Sequence, residues 1–393
     1  MFLKRDLANS LQEYVKFPVV AFLGPRQSGK TTLAINTFPK HAYLCLEDPR
    51  LRSLAINDPE RFLSMHENEH GIILDEFQYV PDLLSYVQLE VDRKKRPGYF
   101  VLSGSQNFLM NKRITQSLAG RVGILTLLPF SIHELRSNNL QKNNIDDVIF
   151  SGCYPRIFDE NIAPAAFYPS YIHTYLERDV RDLVKVGDLI VFQKFMELCA
   201  GRTGQQLNIA DIATNCGISR ESVEAWLSVL EASYIVFRLP PYFNNFNKRV
   251  TKTPKLYFYD TGLACSLLGI TDTKSLSLSP FRGHLFENFI IADLYKQYLN
   301  IGRTPPLYFW RDQNGRVEVD CLINTGVTLV PVEIKSSSTI SSDYFDQLIA
   351  WQEITEKTGE QSYVVYGGNN QAQVHSAGTI MGWQDAGSLI ENI

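Results

Sequence analysis

Apolar residues run unbroken through Val19, Val20, Ala21, Phe22 and Leu23. A β-branched run of this length predicts a strand, and the helical spacing that starts at residue 31 predicts a helix over 31–37. Residues 41–46 alternate as a strand and end in Glu47, Asp48 and Pro49. A polar helical stretch follows, then a buried-strand run at 71–76 closed by Asp75 and Glu76. Leu83, Leu84, Val87 and Val91 recur at helical spacing. Two more strands are expected, at 99–102 before Ser103-Gly104-Ser105-Gln106 and at 122–127. Strands alternating with helices predict a parallel sheet with helices on both faces. Ligands of such sheets bind beyond the carboxyl ends of the strands.

The pattern then changes twice. Residues 156–200 read as helices. Residues 207–213 form a short amphipathic helix, 216–219 a turn, and 220–232 a second helix with Val223, Trp226, Leu227 and Leu230 on its apolar face. A strand at 234–239 follows. Two helices joined by a glycine turn and followed by a strand predict a winged helix-turn-helix. After a loop at 274–280, a helix over 283–299 precedes strands at 308–310, 316–323 and 327–335. A helix at 344–356 and a strand at 362–366 complete a second α/β region.

Composition narrows the class. A chain of 393 residues with 45% hydrophobic content suggests two or three domains with ordinary cores. The net charge of −4 gives no global basic field, so any nucleic-acid contact is local. The start, Met1-Phe2-Leu3-Lys4-Arg5-Asp6, lacks the apolar core of a signal peptide, and no run approaches the ~20 apolar residues of a membrane span. The six cysteines lie far apart without a C-x-x-C. They read as reduced thiols of a cytoplasmic protein.

The strand at 19–23 runs straight into Gly24-Pro25-Arg26-Gln27-Ser28-Gly29-Lys30-Thr31-Thr32. This G-x-x-x-x-G-K-T between strand and helix is a phosphate-binding loop. Gly24 and Gly29 allow the tight turn, backbone N–H groups cradle phosphate oxygens, Lys30 reaches the β- and γ-phosphates of ATP, and the Thr31 hydroxyl ligates Mg²⁺. Asp75 is expected to hold Mg²⁺, and Glu76 to polarise the attacking water. Ser105 is the choice for sensing the γ-phosphate, with Gln106 as its rival.

These residues carry a resemblance. The phosphate loop, Ile73-Leu74-Asp75-Glu76, Ser103-Gly104-Ser105, Ser117-Leu118-Ala119-Gly120-Arg121, Tyr175-Leu176-Glu177-Arg178-Asp179-Val180 and Arg202-Thr203-Gly204-Gln205 together resemble the AAA-type P-loop ATPases with a C-terminal domain of unknown function. The resemblance implies an AAA-type core over 1–130, a helical lid or connector over 131–200, and the winged helix-turn-helix over 201–262. It also implies Arg121 as a finger for the transferring phosphate, often supplied by a neighbouring subunit of a homo-oligomer. A surface arginine at a strand start is the alternative. Arg178 and Arg181 are second-choice sensors, and Gly152-Cys153-Tyr154-Pro155 is either a base-packing element or a turn that starts a helix.

Two accessory features remain. Residues 242–256 carry Lys248, Arg249, Lys252 and Lys255 without an acid, interleaved with Tyr242, Phe243 and Phe246. That patch suits DNA phosphates and stacked bases, or it is a solvated loop over the ATPase. Residues 280–370 resemble the PD-(D/E)xK nucleases, with a restriction-endonuclease-like α/β fold. There, Glu287, Asp320 and Glu333 are the expected metal ligands and Lys335 acts on water. A degenerate domain that binds without cutting is the rival. Two functions therefore stand side by side: an ATP-driven enzyme acting on DNA, or a regulatory ATPase switch that cleaves nothing.

Overall fold

A computed structural model describes residues 3–105, 114, 117–176, 180, 189–242, 253–312, 314–356, 361–369 and 372–393. The chain divides into two compact units. One holds residues 1–130 with 232–234 and 299–303, and the other holds the remainder.

In the first unit, α1 (Leu7–Tyr14) leads into β1 (Val19–Leu23), α2 (Lys30–Thr37), β2 (Ala42–Cys45), α3 (Pro49–Asn57), α4 (Pro59–Met65), β3 (Ile72–Asp75), α5 (Leu83–Lys94), β4 (Phe100–Gly104) and β5 (Val122–Thr126). The strands form one sheet in the order β2-β3-β4-β1-β5, parallel throughout. The period of two assigns alternate residues to opposite faces. Val19, Ala21 and Leu23 join Ile72, Leu74, Phe100 and Leu102 in a core with residues of α3, α4 and α5. Val20, Phe22, Ile73 and Val101 join Leu7 and Leu11 of α1 and Leu33 and Ala34 of α2 in the other. Burial on both faces explains why these strands read as continuous apolar runs. α1 is an addition to the expected elements; Leu7 and Leu11 are buried and Tyr14 packs against the same core, an i, i+4, i+7 face too short to stand out from the spacing alone.

The second unit opens with helices Ile132–Ser137, Ile145–Ser151, Pro155–Asp159, Pro164–Tyr175 and Leu189–Ala200. Helices Ile209–Cys216 and Arg220–Ala232 follow, then an antiparallel ribbon of β6 (Val236–Leu239) and β7 (Lys255–Phe258). Residues 273–277 form a short helix where a loop was expected, closed by a reciprocal cap between Asp272 and Ser275. The long helix Arg282–Asn300 precedes β8 (Leu307–Arg311), β9 (Glu318–Asn324), β10 (Leu329–Lys335), the helix Asp346–Thr355, β11 (Tyr363–Tyr366), β12 (Gln373–His375) and β13 (Gly378–Gly382). These strands form a mixed sheet in the order β12-β13-β11-β10-β9-β8. β12 and β13 lie beyond the expected domain end at 370. The three residues of β12 are all exposed, so no alternation announces it. Among the described residues no helix is long and apolar enough to cross a membrane.

Candidate functional site

β1 ends at Leu23, and the chain turns through Gly24 at φ +148°, where a Cβ would stand 2.1 Å from the Leu127 carbonyl oxygen. No side chain fits there, so the first loop glycine is fixed by sterics. Gly29, at φ +91°, sits immediately before α2. Pro25 and Ser28 are buried, Arg26 is half-buried, and Gln27 and Thr32 are exposed. The Ser28 hydroxyl donates to the Pro25 carbonyl at 3.0 Å, and Lys30 Nζ donates to the same oxygen at 2.6 Å. The Lys30 ammonium is therefore folded over the loop, with the side chain almost fully buried.

The sheet brings the next residues to the same edge. Asp75 lies level with Ser103 in the β3–β4 register, and Phe22 lies level with Ser103 in the β1–β4 register. β4 thus separates the phosphate loop from the acids, and its continuation carries Ser105 between them. The Thr31 hydroxyl donates to both oxygens of Asp75, at 3.1 and 3.0 Å. Glu76 adopts φ 53° and ψ 41°, a left-handed conformation that a non-glycine residue adopts only when its surroundings enforce it. Its carboxylate accepts from the Gln78 amide, and Ser105 Oγ lies 3.4 Å from Glu76 Oε2. Gln78 Oε1 is buried with no hydrogen-bond partner. Gln106 lies outside the described residues, so the choice between it and Ser105 stays open.

Three contributors had no sequence signal. The Tyr43 hydroxyl, from β2, donates to Asp75 Oδ2 at 2.7 Å. Burial and the Asp75 carboxylate push its phenol well above the ordinary value, so it stays a donor. Gln78 is the second. The third is Arg5, whose buried guanidinium donates to the carbonyls of Ser28 and Leu128 at 2.6 Å each and lies over the Phe130 ring. Arg5 holds the phosphate loop from behind.

Arg121 does not reach the phosphate loop of its own chain. It immediately precedes β5, and Val122 pairs with Val19 at the end of the sheet opposite the phosphate loop. A five-residue strand spans roughly 16 Å, so its own phosphate site is out of reach. Its guanidinium instead binds Asp92 at 2.6 and 3.0 Å, as a surface arginine. Arg178 and Arg181 lie outside the described residues.

The second unit gathers a charged cluster. The period of two puts Glu333 and Lys335 on one face of β10, and Lys335 Nζ binds Glu333 Oε1 at 2.7 Å. Asp320, from β9, accepts the Ile334 N–H through Oδ2 at 2.9 Å. Glu287, from the helix Arg282–Asn300, accepts from the Tyr257 hydroxyl at 2.6 Å. The sequence set is thus brought together, but with a guest. Lys255 of β7 places its ammonium 3.1 Å from Glu287 Oε1, 2.6 Å from Glu318 Oε1 and 3.9 Å from Asp320 Oδ1.

Lys255 therefore bears on two expectations, and the first, its contact with DNA, is corrected. It is 4% exposed, begins a strand, and presents no surface to DNA. A buried ammonium persists only when paired, and these carboxylates pair it. Lys248, Arg249 and Lys252 lie outside the described residues. The expected metal set is the second. Both Asp320 oxygens face nitrogen, Glu287 Oε1 serves two donors, and no group of three His, Cys, Asp or Glu among the described residues is arranged to hold a metal ion. Glu333 Oε2 is buried without a hydrogen-bond partner. Burial, with Asp320 adding to it, raises the Glu333 carboxyl to about 8, and burial with Glu287 raises Asp320 to about 7.

Within Gly152-Cys153-Tyr154, Cys153 is tied to Asp260, which accepts from the Cys153 N–H at 2.7 Å and from the Tyr168 hydroxyl at 2.6 Å, and the Tyr154 hydroxyl donates to Tyr171 at 3.0 Å. Pro155 then begins a helix.

The sequence matches the AAA domain family over residues 16–136, a domain of unknown function (DUF8612) over 142–274, and a domain of unknown function (DUF4143) over 282–384. It is 31% identical over 341 residues to an uncharacterized protein of Mycobacterium tuberculosis and, equally, to one of Mycobacterium bovis, covering 86% of this chain and 75% of each relative. Among solved structures, a Walker-type ATPase of Pyrococcus abyssi is 16% identical with a TM-score of 0.45, covering 68% of this chain and 96% of that one. A signal transduction ATPase with a tetratricopeptide repeat sensor from Pyrococcus horikoshii is 14% identical with a TM-score of 0.23, covering 77% and 48%.

Proposed function

This chain belongs to the family of the mycobacterial proteins it matches and is an AAA-type P-loop ATPase, and from that premise we propose that it is an ATP-driven switch whose C-terminal side recognises a partner without cutting DNA. The observation that carries the ATPase half is the tie from Thr31 to both oxygens of Asp75. It joins the phosphate loop to the acid of β3, the pair that holds Mg²⁺ in this class of site. The residues fit the group: Gly29 at φ +91° turns the loop directly onto the start of α2, and the Thr31 hydroxyl with the Asp75 carboxylate is a hard oxygen donor set of the kind Mg²⁺ takes.

Each residue has a task. Backbone N–H groups from Gly24 to Thr32, through Pro25, Arg26, Gln27, Ser28 and Gly29, surround the phosphates, with Pro25 contributing shape alone because it has no N–H. Lys30 leaves the Pro25 carbonyl to neutralise the β- and γ-phosphates. Thr31 and Asp75 would hold Mg²⁺, which would draw charge off the phosphate oxygens. Glu76 orients the attacking water, with Gln78 and Ser105 fixing its carboxylate. Arg5 keeps the loop from shifting as charge moves.

The non-cleaving half is favoured by Lys255, whose ammonium takes up the carboxylates that a metal-dependent nuclease needs. Lys30→Ala is expected to abolish tight ATP binding. Glu76→Gln is expected to keep binding and stop turnover, read as phosphate release beside a fluorescent-nucleotide titration. Turnover at the wild-type rate in Glu76→Gln removes Glu76 as the acid of this reaction.

A further inference from the structure

The acidic cluster of the second unit holds more carboxylate than its position in the fold explains. Glu287 comes from the helix Arg282–Asn300, Glu318 and Asp320 from β9, and Glu333 from β10. Close carboxylates oppose one another's ionisation, and a cation among them relieves the repulsion. That cation is in the chain itself. Lys255 Nζ stands 2.6 Å from Glu318, 3.1 Å from Glu287 and 3.9 Å from Asp320, with the Phe309 ring 5.5 Å away.

The approach of Lys255 is built in. Asn288 accepts the Phe258 N–H at 2.8 Å and donates to the Phe258 carbonyl at 2.7 Å, which fixes β7 against the helix that carries Glu287. Tyr257, also from β7, donates to Glu287. The turn at Gly204 closes the same place, since a Cβ there would lie 3.3 Å from Glu287 Oε2. Its neighbour Thr203 donates to Asn288. The Arg202-Thr203-Gly204-Gln205 stretch and the β6–β7 ribbon thus complete a cluster that the C-terminal domain begins.

We propose that Lys255 is a resident counter-ion standing where a divalent cation would otherwise sit, so that the Glu287, Glu318 and Asp320 carboxylates bind an ammonium instead of a metal. This deepens the non-cleaving reading above and rests on it. A small divalent ion needs oxygens close around it at about 2.1 Å. An ammonium holds the same oxygens further apart and gives up hydrogen bonds to them. The two occupants exclude each other by position and by charge. Glu333, whose Oε2 has no hydrogen-bond partner, is the further ligand a metal would meet if the ammonium were gone.

The test uses the full chain without nucleotide and Mn²⁺ as the probe. Binding is read by titration calorimetry and by the effect of Mn²⁺ on thermal unfolding, with a DNA cleavage assay alongside. Wild type and Lys255→Arg are expected to bind no Mn²⁺ that depends on Asp320. Lys255→Met is expected to gain one such ion and a Mn²⁺-dependent rise in melting temperature, both lost in the Lys255→Met, Asp320→Asn double variant. Asp320-dependent Mn²⁺ binding by wild type overturns the proposal, and this arm needs no variant with a perturbed fold at Lys255. A folded Lys255→Met chain that gains no ion overturns it as well. Mn²⁺ binding by wild type without cleavage leaves the non-cleaving reading standing, whereas Asp320-dependent cleavage removes both.

Discussion

Asp75 accepts from two hydroxyls, Thr31, whose single proton is shared between both carboxylate oxygens, and Tyr43. The Thr31 contact follows from the loop motif, because the threonine after the lysine starts α2 and α2 begins beside β3. The Tyr43 contact does not. It comes from an edge strand whose pattern is half-exposed, and Tyr43 itself is 42% exposed. A hydrogen bond to a charged acceptor contributes about 1 kcal/mol once solvent screening is allowed for. Tyr43→Phe is therefore expected to lower kcat about fivefold while leaving ATP affinity near wild type. Steady-state kinetics with a nucleotide titration checks this, and an unchanged kcat makes Tyr43 a bystander. Lys255 teaches the converse at the same scale. Its identity as a cation was legible, but the chain around it, rich in lysine, arginine and aromatics, suggested solvent and phosphate.

The helix Arg282–Asn300 shows how one element serves several partners. Its apolar positions Leu285, Phe286, Phe289 and Ile290 were legible from spacing. Its buried polar positions were not. Asn288, fully buried, satisfies both the N–H and the carbonyl of Phe258. Asn288→Ala leaves two buried backbone groups without that partner, so a loss of about 3 kcal/mol is expected in denaturant unfolding. Asn288→Ala unfolding like wild type would show that β7 is held by β6 alone. Asp293, one turn further on, accepts the Ile132 N–H at 2.6 Å. Burial raises its carboxyl from 3.8 to about 6. The folded state then keeps a proton that the unfolded state loses above pH ~4. The stability tied to that proton is present below pH ~4 and is lost as pH rises to about 6, with a slope of at most about 1.4 kcal/mol per pH unit. Asp293→Asn removes the titration and keeps the acceptor. The variant is therefore expected to gain on wild type between pH 4 and pH 7 in unfolding midpoints. Parallel curves would show that Asp293 is ionised throughout.

For the whole molecule, position within each unit limits what the surface can do. Arg121 stands at the sheet end opposite its own phosphate loop and is paired to Asp92. Such an exposed, solvent-screened pair adds little to stability. Arg121→Ala is expected to keep ATP turnover within about twofold of wild type at dilute concentration. A loss that appears only at concentrations where the chain self-associates, and that mixing with Lys30→Ala restores, would return Arg121 to a role in a neighbour's site. The DNA expectation shrinks in the same manner. With Lys255 buried, Lys248, Arg249 and Lys252 are the remaining cations of that segment. Neutralising them together is expected to flatten the salt dependence of any duplex binding by at most about 2.7 logarithmic units per decade. A further flattening, toward about 3.6 units, when Lys255 is neutralised as well would bring Lys255 back into the count, and no change in the triple variant would move the contact elsewhere.

The phosphate loop, the strand-end acids and the parallel core were legible in the chain, because in each the information is local. A loop that cradles phosphate is built from consecutive backbone groups, and alternation by two decides which face of a strand is buried. The acids of the second unit were legible one by one for the same reason, as Glu333 and Lys335 share a strand face. Only the tertiary structure decided their company. Arg5 meets Leu128 across 123 positions, Tyr43 meets Asp75 across 32, and Lys255 meets Glu287 across 32. No periodicity links such pairs. Whether a lysine is a solvated hand for phosphate or a buried counter-ion depends on which carboxylates the fold brings to it, and that is fixed by strand register and helix packing rather than by its neighbours in the chain.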